Sequence, residues 1–352
     1  MYEQTLKELE YISTAVGIPV DYTQGGGGNT SAKLSDELMA VKASGFKLKQ
    51  ISVSEGYVIV NYRNIKDYYD HVNLDEERDC EKESSELVKR NVVPVGGGKP
   101  LRPSVEAGFH SILKKYVIHT HSVYANILCC TKNGRETVER IFGDKDFAVI
   151  WVPYINPGFS LSVRINDEIS RCMGKTGMFP QVIFMENHGL IVTADDSREC
   201  VRLHQDVNDV IRDFLSIEET FPEIEIVEVG DNTFISKTGY LNDYFRHNRI
   251  NPDFFDRNAL YPDQLVYLNG NAGVGTTDRK LNINARTGEI IYKTNASEAR
   301  TIEETLLAFL YVLTNIQKHG LTLKTMSDKE INFISNWESE AYRKSLAKGA
   351  GK

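Results

Sequence analysis

Residues Tyr116–Cys130, YVIHTHSVYANILCC, constrain the fold of this chain more than any other stretch. The first part, Tyr116–His121, is a short apolar run and predicts a buried strand. The second part, Ser122–Cys130, predicts the helix that follows. His119 and His121 stand two residues apart at the end of the strand, so both imidazoles lie on one face of it. Binding sites often lie at such strand ends.

A second apolar run, Gln181–Met185, predicts another buried strand, which ends in Glu186-Asn187-His188-Gly189. Neutral imidazole is the commonest zinc ligand, and three protein ligands leave zinc an open position for substrate. His119, His121 and His188 therefore predict a catalytic metal site, with Zn²⁺ as the expected ion and another divalent metal as the alternative. The other interpretation is hydrogen-bonded core histidines, because an isolated H-x-H pair is weak evidence.

An upstream stretch, S-x-E-x-x-x-H, adds acidic and basic groups. Pro103-Ser104 is predicted to open a helix in which Ser104 is the N-cap and Glu106 faces the positive end of the helix dipole. His110 follows Glu106 by one helical turn. By spacing alone His110 is a candidate fourth ligand, but we expect it to orient Glu106 or to pack in the core.

The bulk composition excludes several classes of protein. The chain has 352 residues, 41% of them hydrophobic, and a formal net charge of −8, which argues against a nucleic-acid partner. No run approaches the roughly 18 apolar residues of a membrane span, and the N-terminus MYEQTLKELEY lacks the pattern of a secretory signal. Five cysteines without a C-x-x-C spacing indicate free thiols in a reducing compartment. We expect a cytoplasmic protein.

Four consecutive glycines, Gly25–Gly28, precede Asn29. They do not predict a dinucleotide site, because the final glycine of G-x-G-x-x-G is missing and no strong strand precedes them. A P-loop is excluded as well, since no G-K-[ST] follows. The glycines therefore predict tight turns.

Five motifs occur in a fixed order: GGNTS at 27–31, KASG at 42–45, PSVEAGFH at 103–110, HTH at 119–121 and ENHGL at 186–190. In order and spacing they resemble the class II aldolase/adducin family, from about residue 20 to about residue 220. Within that family the chain is similar to the aldolase part of rhamnulose-1-phosphate aldolase/lactaldehyde dehydrogenase-like proteins, and also to fuculose-1-phosphate aldolase.

The resemblance implies an α/β fold, a three-layer α/β/α domain with a largely antiparallel central sheet. It implies metal ligation by His119, His121 and His188, and it places the catalytic acidic residue, which can also touch the metal, at Glu106. In such a site zinc stabilises an enediolate as a Lewis acid, and a nearby carboxylate is the general base. The alternative for Glu106 is a helix-start charge, and the two interpretations are compatible.

The resemblance also implies a site for the substrate phosphate, at Asn29, Ser44, Gly45 and Ser104. Backbone N–H groups near glycine, with short hydroxyl and amide donors, form an anion nest, and the helix N-terminus at Ser104 adds its dipole. The alternative is turns that need glycine. Further candidates are Gly28 and Lys42.

Two features leave the substrate open. Val105 stands where simple family members often have a second serine, and Ser44 replaces the usual threonine before Gly45.

No tyrosine precedes Trp151 in the stretch where the resemblance places a general acid. Tyr154 is a pocket candidate for that role, or else a core or interface aromatic residue.

A change in composition at residues 217–225, IEETFPEIE, divides the chain. We predict a catalytic domain at residues 1–222 and a C-terminal α+β extension of unknown role at residues 223–352. The predicted elements of the extension are a strand at Gln264–Leu268, a hairpin around Arg286-Thr287-Gly288, a helix at Glu298–Lys318 and a last helix opened by Ser327.

The expected activity is that of a zinc-dependent sugar-phosphate aldolase of carbohydrate metabolism. It would cleave a ketose 1-phosphate reversibly to dihydroxyacetone phosphate and an aldehyde, through a metal-stabilised enediolate. The alternatives on the same scaffold are a sugar-phosphate 4-epimerase, a decarboxylase or a dehydratase. A non-catalytic adducin-like binding module is disfavoured, because the three histidines and Glu106 are all present. The resemblance implies a homo-oligomer, with a tetramer favoured.

Overall fold

An eight-stranded sheet lies at the centre of the structure, a computed structural model that describes residues 2–73, 79–94 and 101–336. Its strands are β1 (Asn29–Lys33), β2 (Leu38–Lys42), β3 (Tyr57–Asn61), β4 (Val92–Val93), β5 (Tyr116–Thr120), β6 (Ala148–Val152), β7 (Pro180–Met185) and β8 (Gly189–Ala194). Their order is β4-β3-β2-β1-β5-β8-β7-β6. All neighbours are antiparallel except β6 and β7, which confirms the predicted, largely antiparallel sheet.

Helices cover both faces of this sheet, so the predicted three-layer arrangement is also confirmed. One face carries α1 (Glu3–Gly17), α5 (Val123–Cys129), α6 (Gly134–Phe142) and α8 (Ser197–Phe214). The other carries α2 (Tyr62–His71), α3 (Cys80–Arg90), α4 (Ala107–Ile112) and α7 (Phe159–Thr176).

The strands at the centre of the sheet are buried on both faces. In β5, Tyr116 and Ile118 pack into the core on one face, whereas Val117 between them packs into the core on the other. Alternate side chains of a strand point to opposite faces, so a strand between two helical layers is apolar throughout. The continuous apolar runs of the sequence have this origin.

The C-terminal extension contains a second sheet, of five strands. They are β9 (Ile226–Gly230), β10 (Thr233–Ser236), β11 (Ala272–Val274), β12 (Leu281–Ile283) and β13 (Ile290–Lys293), in the order β11-β12-β13-β10-β9. The antiparallel pairing of β12 with β13 confirms the predicted hairpin. The helices of the extension are α9 (Gly239–His247), α10 (Phe254–Arg257), α11 (Pro262–Gln264), α12 (Ala296–Lys318) and α13 (Asp328–Asn336).

The strand predicted at Gln264–Leu268 is wrong. Pro262 stands in the first turn of α11, where its fixed φ favours a helix, and the backbone continues as a π-helical turn at Leu265–Asn269. This segment is buried on all sides, and periodicity alone cannot distinguish a short apolar run of this kind from a buried strand.

The long helix α12 joins the extension to the first part of the chain. It packs against α5 in one apolar cluster that includes Leu128 and Phe309, both fully buried. Apolar packing therefore continues across the boundary proposed at residue 222, which stays a prediction. Within the described residues, none of the helices is long and apolar enough to cross a membrane.

Candidate metal centre and active site

Two of the three candidate ligands lie at the end of the central strand β5. His119 stands opposite Asn29 of β1 and Ile191 of β8, and His121 follows immediately after the strand. Both rings are buried, with their centroids 4.9 Å apart. Their Nε2 atoms are separated by 3.2 Å.

The third ring, His188, lies in the tight turn between β7 and β8. Asn187, in the same turn, has a φ of 48°, the left-handed region in which asparagine is enriched among non-glycine residues. The centroid of His188 is 5.0 Å from that of His119 and 5.3 Å from that of His121. One ligand nitrogen from each of the three residues lies within 4.8 Å of the others, so the group can hold a metal ion.

The hydrogen bonds made by Nδ1 of His119 and of His121 orient the two rings so that their Nε2 lone pairs face each other. Nδ1 of His119 lies 3.0 Å from the carbonyl oxygen of Leu190, and Nδ1 of His121 lies 2.6 Å from Oδ2 of Asp263. Both partners accept hydrogen bonds, so in the neutral rings Nδ1 carries the hydrogen and Nε2 presents a lone pair.

Two such lone pairs 3.2 Å apart repel each other unless a cation lies between them. Two nitrogens bound to one tetrahedral zinc stand about 3.3–3.4 Å apart. Nε2 of His188 faces Oε1 of Glu106 at 3.7 Å, whereas its buried Nδ1 has no hydrogen-bond partner among the described residues. Burial, reinforced by His119 and His121, holds the pKa of His188 well below its usual value of 6.5, so this imidazole is neutral. The donor set therefore fits a divalent metal.

Glu106 points into the same space. Its Oε1 lies 3.4 Å from Nε2 of His119 and 3.7 Å from Nε2 of His188. Its Oε2 accepts a hydrogen bond of 3.4 Å from Nδ2 of Asn29, and the side chain is buried. A buried carboxylate beside three imidazoles can ligate a metal or transfer a proton to a bound substrate.

The helix after Ser104 begins later than predicted. Helix α4 starts at Ala107, and its N-cap is Glu106 rather than Ser104. The Ser104 hydroxyl accepts a hydrogen bond from the backbone N–H of Glu106 at 3.3 Å, which is a local turn that competes with helix formation. Ser104 therefore contributes a hydroxyl near the site. The helix dipole predicted at Ser104 is not there, because the helix starts at Ala107.

The residues predicted to bind phosphate lie in adjoining segments. Ser44 and Gly45 form a turn after β2, and Gly45 has a φ of 92°. This turn is tied to the segment before Glu106 by the bridge between Ala43 and Pro103 and by a hydrogen bond of 2.8 Å from Ser44 N–H to the carbonyl of Arg102. Ser104 and the Ser44 turn are thus neighbours.

The glycine run lies next to the end of β2, which leads into the Ser44 turn. Lys42, at the end of β2, is buried, and its ammonium donates a 2.9 Å hydrogen bond to the carbonyl of Gly26. Gly28 has a φ of 70°, and a Cβ there would lie 2.8 Å from the carbonyl oxygen of His119. Glycine at position 28 thus lets the loop lie directly against the strand that carries the ligands.

His110 and Tyr154 make the contacts of core residues. Nδ1 of His110 shares a 2.7 Å hydrogen bond with the hydroxyl of Ser31, and its ring stacks on Phe109. Burial lowers the pKa of His110 to about 3. Tyr154 packs against an apolar cluster of the extension that includes Tyr267 and Ile334.

Asp263 is the residue at this site that sequence reasoning missed. It lies in the C-terminal extension, 142 positions after its partner His121, and it is buried. The preceding Tyr261-Pro262 marks a helix start, but that signal does not indicate a partner in the first domain. A contact at this separation cannot be predicted from local motifs.

Residues 20–214 match the family described as Class II Aldolase and Adducin N-terminal domain. The chain belongs to the class II aldolase and adducin family. Glu106 and the three histidines lie inside the matched residues of this family, whereas Asp263 lies outside them.

Among curated proteins, the chain is 29% identical over 240 residues to the Bacillus subtilis (strain 168) protein described as uncharacterized oxidoreductase YuxG. The match covers 61% of this chain but 31% of that protein, so the chain spans about a third of the length of this relative. It is also 24% identical over 208 residues to 3-oxo-tetronate 4-phosphate decarboxylase from Haemophilus influenzae (strain ATCC 51907 / DSM 11121 / KW20 / Rd), covering 56% of this chain and 80% of the decarboxylase.

Among solved structures, the chain is similar to the N-terminal class II aldolase domain of a conserved protein from Thermoplasma acidophilum. The two share 24% sequence identity and a TM-score of 0.48, over 59% of this chain and 92% of that one.

Proposed function

We propose that this class II aldolase family member is a metal-dependent lyase that cleaves a ketose 1-phosphate by a retro-aldol reaction. The products would be dihydroxyacetone phosphate and an aldehyde. The observation that carries the proposal is the convergence of His119, His121 and His188 on one point, with the Glu106 carboxylate 3.4 Å and 3.7 Å from two of the rings.

The three imidazoles would hold the metal, with Zn²⁺ as the expected ion. When bound, it would supply Lewis-acid polarisation of the carbonyl and hydroxyl oxygens of the substrate. Burial keeps His188 neutral and therefore able to act as a ligand.

Glu106 is the proposed proton carrier. In cleavage the Glu106 carboxylate would accept the proton of the C4 hydroxyl, the C3–C4 bond breaks to release the aldehyde, and the electron pair stays on C3 beside the carbonyl. Glu106 then gives a proton to C3, and in the condensation direction its carboxylate removes that proton. The amide of Asn29 lies against Oε2, which leaves Oε1 on the side of the histidines.

The phosphate of the substrate would lie at Asn29, Ser44, Gly45 and Ser104. The hydroxyl groups of Ser44 and Ser104 would supply donors to the phosphate, beside the turn with positive φ at Gly45. Gly28 and the buried ammonium of Lys42 lie next to these segments and would complete the polar wall.

A decarboxylase is the second candidate, favoured by the similarity to 3-oxo-tetronate 4-phosphate decarboxylase. Decarboxylation of a 3-oxo acid also leaves an electron pair on carbon next to a carbonyl. The same ligands and the same proton carrier would therefore serve both reactions, and the group that leaves distinguishes them.

The test is a pair of measurements on the purified chain. Metal content is measured first, beside the double variant His119→Ala/His121→Ala. L-rhamnulose 1-phosphate, L-fuculose 1-phosphate and 3-oxo-tetronate 4-phosphate are then supplied, and release of dihydroxyacetone phosphate is followed with an NADH-coupled dehydrogenase while carbon dioxide is measured separately.

About one metal ion per chain, lost in the double variant, together with dihydroxyacetone phosphate from a ketose 1-phosphate, supports the aldolase. Carbon dioxide released together with dihydroxyacetone phosphate from 3-oxo-tetronate 4-phosphate, with no dihydroxyacetone phosphate from either ketose 1-phosphate, replaces it with the decarboxylase. A wild type that takes up no metal contradicts both and favours a binding module. The homo-oligomer, with a tetramer favoured, stays a prediction that analytical ultracentrifugation of the same sample would test.

A further inference from the structure

A carboxylate from the C-terminal extension contacts one of the candidate metal ligands. Asp263 lies in the short helix α11, which Pro262 opens, and its side chain is 1% exposed. Its Oδ2 is 2.6 Å from Nδ1 of His121. A carboxylate that accepts the second N–H of a metal-binding imidazole fixes the tautomer and the orientation of the ring, and it raises the basicity of the ligand nitrogen.

We propose that Asp263 is a positioning residue of the metal centre, so that the C-terminal extension completes the site built by the first domain. The inference rests on the metal site of the proposed function, and it adds a role for residues outside the family match. With the hydrogen of His121 held on Nδ1 by the carboxylate, the lone pair of Nε2 points at Nε2 of His119, 3.2 Å away.

The glycine run provides the space for this contact. A Cβ at Gly27 would overlap Oδ2 of Asp263 and lie 2.8 Å from Nδ1 of His121. Neighbouring Gly25 donates its backbone N–H to Oε2 of Glu304 in α12 at 3.0 Å. The extension therefore contacts the glycine loop through Glu304. The absence of a side chain at Gly27 leaves room for Asp263 to reach the ring of His121.

The alternative role for Asp263 is simple attachment of the extension. Other contacts already provide that attachment, namely the apolar packing of α12 on α5 and an ion pair of 2.6 Å between Lys324 and Glu186. An attachment role predicts a loss of stability when Asp263 is replaced, with unchanged metal affinity. A positioning role predicts a loss of metal affinity.

The experiment measures the affinity for Zn²⁺ by competition with a chromophoric chelator, and records the visible spectrum of the Co²⁺-loaded protein. The variants are Asp263→Ala, which leaves Nδ1 without its acceptor, and Asp263→Asn, which keeps the shape and removes the charge. Asp256→Asn is the matched control, because its partner Asn269 lies in the same extension on the exposed surface.

We expect Asp263→Ala to weaken Zn²⁺ binding about 10- to 100-fold and Asp263→Asn to weaken it less, while the control stays within about twofold of the wild type. The Co²⁺ absorption should shift in both Asp263 variants. In a His121→Ala background, Asp263→Ala should cause no further loss of affinity, because its effect acts through that ring.

Wild-type affinity in both Asp263 variants overturns the inference while leaving the metal site intact. A wild type that binds no Zn²⁺ instead removes the proposed function, so the two failures are distinguishable. If Asp263→Ala does not fold, as judged by circular dichroism, Asp263→Asn and its Co²⁺ spectrum decide alone. Equal losses in the presence and absence of His121 also overturn the inference.

Discussion

The side-chain amide of Asn187 donates a 2.8 Å hydrogen bond to the carbonyl oxygen of Leu260, which ties the turn before His188 to the C-terminal extension. The same amide donates a 2.9 Å bond to the carbonyl of Lys324, in a different loop of the extension. The turn that presents a candidate metal ligand is therefore held at two points by residues outside the family match.

Replacing Asn187 with alanine removes both of these hydrogen bonds. The carbonyl of Leu260 loses the amide donor at a buried position and that of Lys324 loses it at a partly buried one, and alanine is less favourable than asparagine at a φ of 48°. We expect the free energy of unfolding, measured by urea denaturation, to fall by about 1–3 kcal/mol. Asn187→Gly is the matched variant, because it loses the bonds but tolerates the backbone conformation. Wild-type stability in both variants would show that the amide contacts do not hold the turn.

Gly27 is expected to be intolerant of even a methyl group. Its Cβ would overlap the Asp263 carboxylate and approach Nδ1 of His121 to 2.8 Å, so Gly27→Ala must displace one of the two groups. We expect Gly27→Ala to lower the affinity for Zn²⁺ by about tenfold or more, which is the scale of losing a carboxylate partner of a metal-binding histidine. Chelator competition measures this loss.

Gly26→Ala is the control for that substitution. The Cβ at Gly26 would meet the Tyr267 hydroxyl at 3.2 Å, a milder overlap than the 2.8 Å approach to His121 at Gly27, and it would not touch the Asp263 carboxylate. Its Zn²⁺ affinity should stay close to that of the wild type. Equal losses at Gly26 and Gly27 would mean that the loop as a whole, rather than the contact with Asp263, sets the affinity.

The strands that carry the histidines were predictable because their signals are local, whereas the largely antiparallel central sheet was expected from the resemblance to the family. A strand of period two puts His119 and His121 on one side, and the apolar run before His188 ends where its strand ends. The helix predicted at Glu298–Lys318 was also predictable, although in the structure α12 begins two residues earlier, at Ala296, where the Asn295 side chain caps it.

The parts that were not predictable depend on tertiary contacts. Serine is a preferred N-cap residue, but the hydroxyl of Ser104 accepts a hydrogen bond from the backbone N–H of Glu106 in a local turn. The helix begins after this turn, at Ala107. The segment after Pro262 is apolar because it is buried. The spacing of its apolar residues does not distinguish a strand from a π-helical turn. The contact of Asp263 with His121 links positions 142 residues apart, and no motif in either segment indicates the other.

Glu106→Gln should separate metal binding from proton transfer. The amide keeps the size of the side chain but cannot accept or return a proton, so we expect cleavage of the ketose 1-phosphate to slow by about 10²- to 10⁴-fold with unchanged metal content. Deuterium exchange at the hydroxymethyl carbon of dihydroxyacetone phosphate should slow with it. Glu139→Gln, on the exposed side of α6, is the control. Exchange at the wild-type rate in Glu106→Gln would exclude Glu106 as the base.

Two buried histidines that are not among the three candidate metal ligands make stability depend on pH. Burial lowers the pKa of His110 and of His204 from the usual 6.5 to about 3 in each case. Between these values the unfolded chain binds a proton that the folded chain does not, so acid favours unfolding. The stabilising effect is fully present above pH 6.5 and is lost progressively as the pH falls towards 3.

The metal-free protein should therefore lose stability between pH 7 and pH 5, by about 1–2 kcal/mol for each of these two histidines. Urea denaturation at both pH values measures the fall. His204→Gln removes one titrating group beside the Thr120 hydroxyl, and it should reduce the fall by about 1–2 kcal/mol. His247→Gln, at an exposed position of α9, is the matched control and should leave the fall unchanged. An identical pH dependence in His204→Gln and the wild type would mean that folding does not lower the pKa of His204.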